Sequence, residues 1–220
     1  MSEGLVLPEG LELREDERGV ALVGDGMELR GDFARLLPRL RRDRVSRELL
    51  VRAARVRGVD APTVVDATAG LGEDALLLAA AGFDVTLCER DPVIALLLQD
   101  ALCRAAQDER LAGFAARMTL VPGDAVDTLA ALPMAPDVVF LDPMFPERRR
   151  RAATNKKLAL FQQLERPCED EEGLMRAALA ARPRKVVVKR PLKGPHLAGV
   201  KPSSSLAGKV VRYDVYIPVR

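Results

Sequence analysis

Histidine occurs once in this chain, at position 196. That argues against a Ser-His-Asp hydrolase and against a metal centre built on histidines. Cysteine occurs three times, at Cys88, Cys103 and Cys168, with no C-x-x-C pair. Such scattered thiols suit a reduced, cytoplasmic protein rather than a zinc site or a disulfide frame. No apolar run approaches the length of a membrane span, and the opening MSEGLVLPEG lacks a basic-then-apolar leader, so no membrane partner is expected. Net charge is also scarce, at +2, which leaves no global field to draw nucleic acid. Internal repeats and low-complexity tracts are missing too.

What charge there is lies unevenly. Residues 35–57 carry nine arginines against Asp43 and Glu48, and residues 182–220 carry ten lysines and arginines against Asp214. The chain of 220 residues, 48% hydrophobic, is long enough for one α/β domain with a small appendage.

The stretch from Thr63 to Arg90 organises the rest. Thr63-Val64-Val65 reads as a buried parallel strand ending at Asp66, and Ala67-Thr68-Ala69-Gly70-Leu71-Gly72 is a turn of small residues. Residues 73–81 suit a helix that Gly82 stops, and Asp84 to Cys88 is a second strand ending at Glu89. In such a βαβ unit, Gly70 and Gly72 let the backbone approach a ligand, and the helix start supplies unpaired N–H groups. An acid at Glu89 can accept hydrogen bonds from both ribose hydroxyls of an adenosine group. The layout serves both NAD and S-adenosylmethionine. Here the run is A-G-L-G-E-D, not G-x-G-x-x-G, and Asp66, Glu73 and Asp74 make the loop acidic. A pyrophosphate would be repelled there, whereas an ammonium and a sulfonium would not.

Before this unit, residues 5–34 read as a small β appendage, with strands near Leu11–Arg14, Val20–Val23 and Met27–Arg30 and a turn at Gly24-Asp25-Gly26. Residues 34–58 suit a helix or two broken near Pro38, with arginines forming either a solvated face or a phosphate-contacting surface. After the unit, Asp91-Pro92 opens a helix to about Gln107, Met118–Val121 is a third strand, and Asp124 follows it. Asp124 can bond an adenine amino group or simply cap a helix. A fourth strand, residues 137–142, runs straight into Pro143-Met144-Phe145-Pro146, and a basic run, Arg148 to Arg151, comes next. Helical stretches are expected at about 155–165 and 170–181, a fifth strand at Lys185–Lys189, a loop over 192–208 and a last strand over 209–217. Strands alternating with helices imply a doubly wound, mostly parallel sheet, into which the last strand can insert antiparallel. The expected division is a β appendage over 1–34, a basic helical connector over 35–58 and the main domain over 59–220.

Asp142-Pro143-Met144-Phe145 resembles the (Asp/Asn)-Pro-Pro-(Phe/Tyr/Trp) signature of methyltransferases acting on exocyclic base nitrogens. A base amino nitrogen is a poor nucleophile because its lone pair is delocalised into the ring. The Asp142 carboxylate and the Pro143 carbonyl can hold its N–H groups and localise that lone pair, and Phe145 can stack on an extruded base. No metal is required. A strand end followed by a proline turn would leave the same tetrapeptide without chemistry.

Taken together, Leu5 to Arg14, Val65 to Gly72, Glu89 to Pro92, Leu141 to Pro146, Val186 to Pro191 and Arg212 to Tyr216 resemble the bacterial RsmJ (YhiQ-like) family of small-subunit ribosomal RNA guanine-N2 methyltransferases. The resemblance implies a class I, Rossmann-like methyltransferase fold and S-adenosylmethionine as the methyl donor. Its partner would be small-subunit ribosomal RNA or the assembled subunit. It places the donor-binding pairs on Glu73-Asp74, Glu89-Arg90 and Asp124-Ala125, with Asp142 as the acid after the fourth strand. Asp66, Gly70 and Gly72 complete the donor set. The first pair is usually Arg-Asp and the third often Ser-Ser in that family. The family's basic, glycine-rich segment is replaced here by Leu40 to Arg47. Arg41, Arg42, Arg44, Arg148, Arg149, Arg150 and Arg151 are the candidate RNA contacts. A methyltransferase for another amino acceptor (a DNA adenine or a protein amide) and an inactive RNA-binding module of the same fold remain open from the residues alone.

Overall fold

The computed structural model describes residues 5–143, residue 164 and residues 170–218. Phe145, the arginines 148–151, Cys168 and most of the helix expected over 155–165 lie outside the described residues.

The chain opens with a three-stranded antiparallel sheet, β1 (Glu12–Asp16), β2 (Gly19–Gly24) and β3 (Met27–Leu29). Gly24 pairs with Met27, so the loop is Asp25-Gly26 alone, and both residues take positive φ, 53° and 69°. That is the two-residue hairpin for which Asp-Gly is suited. The sheet does not stand apart. Leu22 and Leu29 are buried against Val93, Ile94 and Leu97 of the long helix described below.

The connector is a series of short turns. A 3-10 turn (Ala34–Leu36) leads into α1 (Leu37–Leu40), α2 (Arg42–Val45) and α3 (Leu49–Ala54). The break expected near Pro38 falls elsewhere. Pro38 sits in the first turn of α1, where its missing N–H costs nothing. The breaks come at Arg41 and Glu48, whose ψ angles of 135° and 133° are extended. Leu36, Leu40, Val45, Leu50 and Val51 turn inward and join the core.

Among the described residues, seven strands form the main sheet in the order β6-β5-β4-β7-β8-β10-β9. They are β4 (Thr63–Asp66), β5 (Asp84–Glu89), β6 (Met118–Pro122), β7 (Val138–Leu141), β8 (Lys185–Pro191), β9 (Ser204–Ala207) and β10 (Val211–Tyr216). The strands β4 to β8 pair in parallel, and β10 lies antiparallel between β8 and β9. This is the doubly wound, mixed sheet that the resemblance implies, with the β appendage at its start. The edge strand β9 lies within the stretch expected to be a loop. Ser-Ser-Leu-Ala has little strand preference of its own and is held by pairing with β10.

Among the described residues, the helices that follow are α4 (Glu73–Ala80), α5 (Pro92–Gln107), α6 (Ala112–Ala115), α7 (Ala125–Ala130) and α8 (Glu171–Ala180). The period of two explains why apolar runs made the central strands. Along β7, Val138 and Phe140 join one core layer while Val139 and Leu141 join the other. The first layer lies under the connector, α4 and part of α5, and the second under α7 and α8. None of the described helices is long and apolar enough to cross a membrane.

Candidate active site at the carboxyl edge of the sheet

Parallel strands present their carboxyl ends on one edge, and the loops after β4, β5, β6 and β7 meet there. Ala67 N–H donates to the Phe140 carbonyl at 3.0 Å and Ala69 N–H to the Cys88 carbonyl at 3.1 Å, so the loop after β4 is laced to both neighbouring strands. Gly70 (φ +55°) and Gly72 (φ +76°) provide the two left-handed steps of this turn. Gly72 is also a packing position. A Cβ there would lie 2.7 Å from Leu98 Cδ1 and 3.1 Å from Phe33 Cζ.

Glu89 clamps this turn. Its Oε2 accepts the Gly70 N–H and its Oε1 accepts the Asp91 N–H, both at 2.9 Å. The side chain is 6% exposed. Burial raises the carboxyl above its usual range, and the two backbone donors work against that rise. Asp91 in turn caps α5, accepting from Val93 and Ile94 N–H at 2.9 and 3.0 Å, with Pro92 in the first turn.

A cavity of about 880 Å³ opens beside this clamp. Glu89, Arg90, Asp124, Ala125 and Pro143 line it from the loops, together with Ala67 and Thr68. Val6 and Pro8 of the N-terminal segment and Leu174 of α8 close other sides. Asp124 proves to be a helix cap that also faces the cavity, since its Oδ1 accepts the Val126 N–H at 2.8 Å at the start of α7.

Asp66, Asp74 and Asp142 gather in a second group next to this cavity, Asp66 buried and the other two half-buried. Asp66 is 1% exposed and accepts the Thr68 N–H at 3.2 Å. Burial, with smaller contributions from the charges of Asp74 and Asp142, pushes its carboxyl up to about 8. The Asp142 N–H donates to Thr68 Oγ1 at 2.7 Å, which ties the end of β7 to the loop after β4. Lys189 Nζ reaches two carboxylates, Asp74 at 2.6 Å and Asp142 at 2.9 Å. Burial works against its charge, but the carboxylates outweigh burial and hold its pKa above the usual lysine range. Tyr213 on β10 stands opposite Lys189, and its phenol is raised by burial first and then by Asp74.

The candidate residues therefore divide. Glu89, Arg90, Asp124, Ala125 and Pro143 share the cavity, and Asp66, Asp74 and Asp142 share the acidic group. Gly70 and Gly72 shape the turn between them. Glu73 is drawn away to an ion pair with Arg35 of the connector. Arg41, Arg42 and Arg44 are exposed on the connector, Arg41 near Asp43 at 3.5 Å and Arg44 bonded to the Pro38 carbonyl at 3.4 Å. Thr68, Lys189 and Tyr213 were missed as site residues. For Lys189 a signal existed, because a lysine directly after Val186-Val187-Val188 puts a charge at the carboxyl end of a buried strand.

A family model described as "Putative SAM-dependent methyltransferase" matches residues 8–218. A protein of Thioalkalivibrio sulfidiphilus named ribosomal RNA small subunit methyltransferase J is 49% identical over 172 residues, which is 77% of this chain and 68% of that protein. Its namesake in Marinobacter nauticus is 42% identical over 230 residues, covering 99% of this chain and 82% of that protein. The crystal structure of a SAM-dependent methyltransferase from Neisseria gonorrhoeae superposes with a TM-score of 0.78 at 35% identity, over 97% of this chain and 85% of that one.

Proposed function

Since the chain belongs to this family of S-adenosylmethionine-dependent ribosomal RNA methyltransferases, we propose that it methylates the exocyclic N2 of a guanosine in small-subunit ribosomal RNA. The residues present fit the donor. A cavity of about 880 Å³ has room for a ligand of that size, and a buried carboxylate, Glu89, stands in its wall. Glu89 would hold the ribose hydroxyls, and the acidic surroundings suit a cationic ligand. The bound donor supplies a sulfonium methyl as electrophile.

The chain's own part is orientation. The observation that carries the reading is that Asp142 follows directly on β7 and its N–H is held by Thr68, while Thr68 and Pro143 both stand in the cavity wall. From there the Asp142 carboxylate accepts an amino N–H of the guanine, and the Pro143 carbonyl accepts the other. Phe145, outside the described residues, is assigned the face of the base. Once methylated, the guanine nitrogen would carry a positive charge and its N–H would be acidic. Asp142 would take that proton, so no histidine and no strong base is needed. The exposed arginines of the connector, with Arg148 to Arg151, would hold phosphates.

The test is methyl transfer from labelled donor to small-subunit ribosomal RNA, free and in assembled subunits, with the modified nucleoside identified by mass. N2-methylguanosine is the expected product. A labelled adenine or protein amide would assign another acceptor. Donor binding without any transfer would make the chain a binding module.

A further inference from the structure

Lys189 lies in one of the stretches that carry the family resemblance, but the resemblance gives it no role, and it pairs with the carboxylate through which the proposed reaction runs. The register explains how. β7 and β8 are parallel, with Leu141 opposite Val188, so the next step along both strands brings Asp142 level with Lys189. The third member, Asp74, comes from the first turn of α4, behind the glycine turn. Three elements that are distant in sequence thus deliver one ammonium and two carboxylates to a single point at the sheet's carboxyl edge.

The neighbourhood makes that ammonium hard to replace. Asp66 of β4 adds a third carboxyl, Tyr213 of β10 flanks the group, and Thr68 holds the Asp142 backbone. Arg39 and Glu48 of the connector bond each other at 2.9 Å and act on the group only through their charges. The Lys189 and Asp142 side chains are 17% and 15% exposed, and an ion pair so enclosed is little screened by solvent. A carboxylate at the end of a strand can rotate about two side-chain bonds. An ammonium fixed at 2.9 Å, itself braced at 2.6 Å by Asp74, restricts that rotation.

We propose that Lys189 is a positioning residue for methyl transfer: braced by Asp74, it fixes the Asp142 carboxylate in the orientation that receives the amino N–H of the base. It touches neither donor nor base. It acts through Asp142, and this inference rests on the function proposed above.

That dependence makes a double-mutant cycle the decisive measurement. Single-turnover methylation of ribosomal RNA is followed at saturating donor and RNA in wild type, Lys189→Met, Asp142→Asn and the double variant. Binding of S-adenosylhomocysteine and of RNA is measured by calorimetry on each. Lys189→Met is expected to lower the rate more than about tenfold, the order of effect of one misplaced orienting group. Both binding constants are expected to stay within about twofold, a change too small to matter beside a tenfold step of 1.4 kcal/mol. Lys189→Arg, which keeps the charge, is expected to restore most of the rate. In the Asp142→Asn background, Lys189→Met is expected to cost little more. Should Lys189→Met not fold, Lys189→Met/Asp74→Asn removes one charge of each sign and is compared with Asp74→Asn in the same way. A loss of equal size in the presence and absence of the Asp142 carboxylate would overturn the role of Lys189, as would a wild-type rate in a folded Lys189→Met protein. Failure of the wild type itself to label ribosomal RNA would instead overturn the functional reading, and this role with it.

Discussion

Glu89→Gln separates the architecture of the donor site from its chemistry, because the replacement has nearly the same shape. In the native chain each Glu89 oxygen accepts one backbone N–H, from Gly70 and from Asp91. Glutamine offers one oxygen and one NH2. One of the two N–H groups must then face a donor in a site where the side chain is 6% exposed. Losing a charge-assisted bond and leaving a buried N–H unpaired costs about 1.5–3 kcal/mol. For a chain of 220 residues each kcal/mol moves the thermal midpoint by about 2–4 °C, so the midpoint should fall by roughly 3–12 °C. The donor should suffer as well, since the same residue lines the cavity and anchors the glycine turn. A loss of about 1.4–2.8 kcal/mol corresponds to a dissociation constant about 10- to 100-fold weaker. Differential scanning calorimetry measures the first quantity and titration calorimetry with S-adenosylmethionine, on protein that is fully folded at the working temperature, measures the second. A lowered midpoint with unchanged donor affinity would leave Glu89 as a structural clamp and refute its ribose role. An unchanged midpoint would refute the energetic argument itself.

Asp142→Ala should lose about 3–4 kcal/mol of transition-state stabilisation in single-turnover methylation, and Asp142→Asn less, because a neutral oxygen still accepts the amino N–H. For Asp66, a folded-state carboxyl pushed up to about 8 from 3.8 means that the native chain binds a proton the unfolded chain has already released. Its contribution is full below the unfolded value and is lost as pH rises toward 8, by at most about 1.4 kcal/mol per pH unit. Urea midpoints of wild type and Asp66→Asn across that range should therefore converge or cross as pH rises, and parallel curves would contradict the assignment. Gly72→Ala should destabilise by about 1–3 kcal/mol, because a side chain must sit at positive φ and press on Leu98 and Phe33. Charge reversal at Arg148 to Arg151 should weaken RNA binding and flatten its salt dependence without changing donor affinity, and an unaltered salt slope would mean that these arginines touch no phosphate.

The sequence by itself determined the order and type of the main elements. Strands such as Val138–Leu141 are apolar at every position, which only a strand covered on both faces requires, so the parallel sheet could be read before any coordinate. The glycine turn, the acid at Glu89 and the Asp142-Pro143 step after β7 were legible for a related reason, since each depends on residues adjacent along the chain. Where neighbours in sequence did not decide, the reading stopped. Ser204–Ala207 is a strand because β10 lends it hydrogen bonds, and no preference within those residues says so. That Asp124 caps a helix and faces the cavity at the same time was visible only once α7 was seen to begin at its side chain. The same holds for the charges. Glu73 and Asp74 are neighbours in the first turn of α4, yet one pairs with Arg35 of the connector and the other with Lys189 of β8. Lys189 meets Asp142 only because β7 and β8 lie side by side in register, and Asp66 keeps its proton only because the folded chain removes it from water. Pairing across the sheet and exclusion of solvent are properties of the assembled tertiary structure, so the electrostatics of the site were settled there.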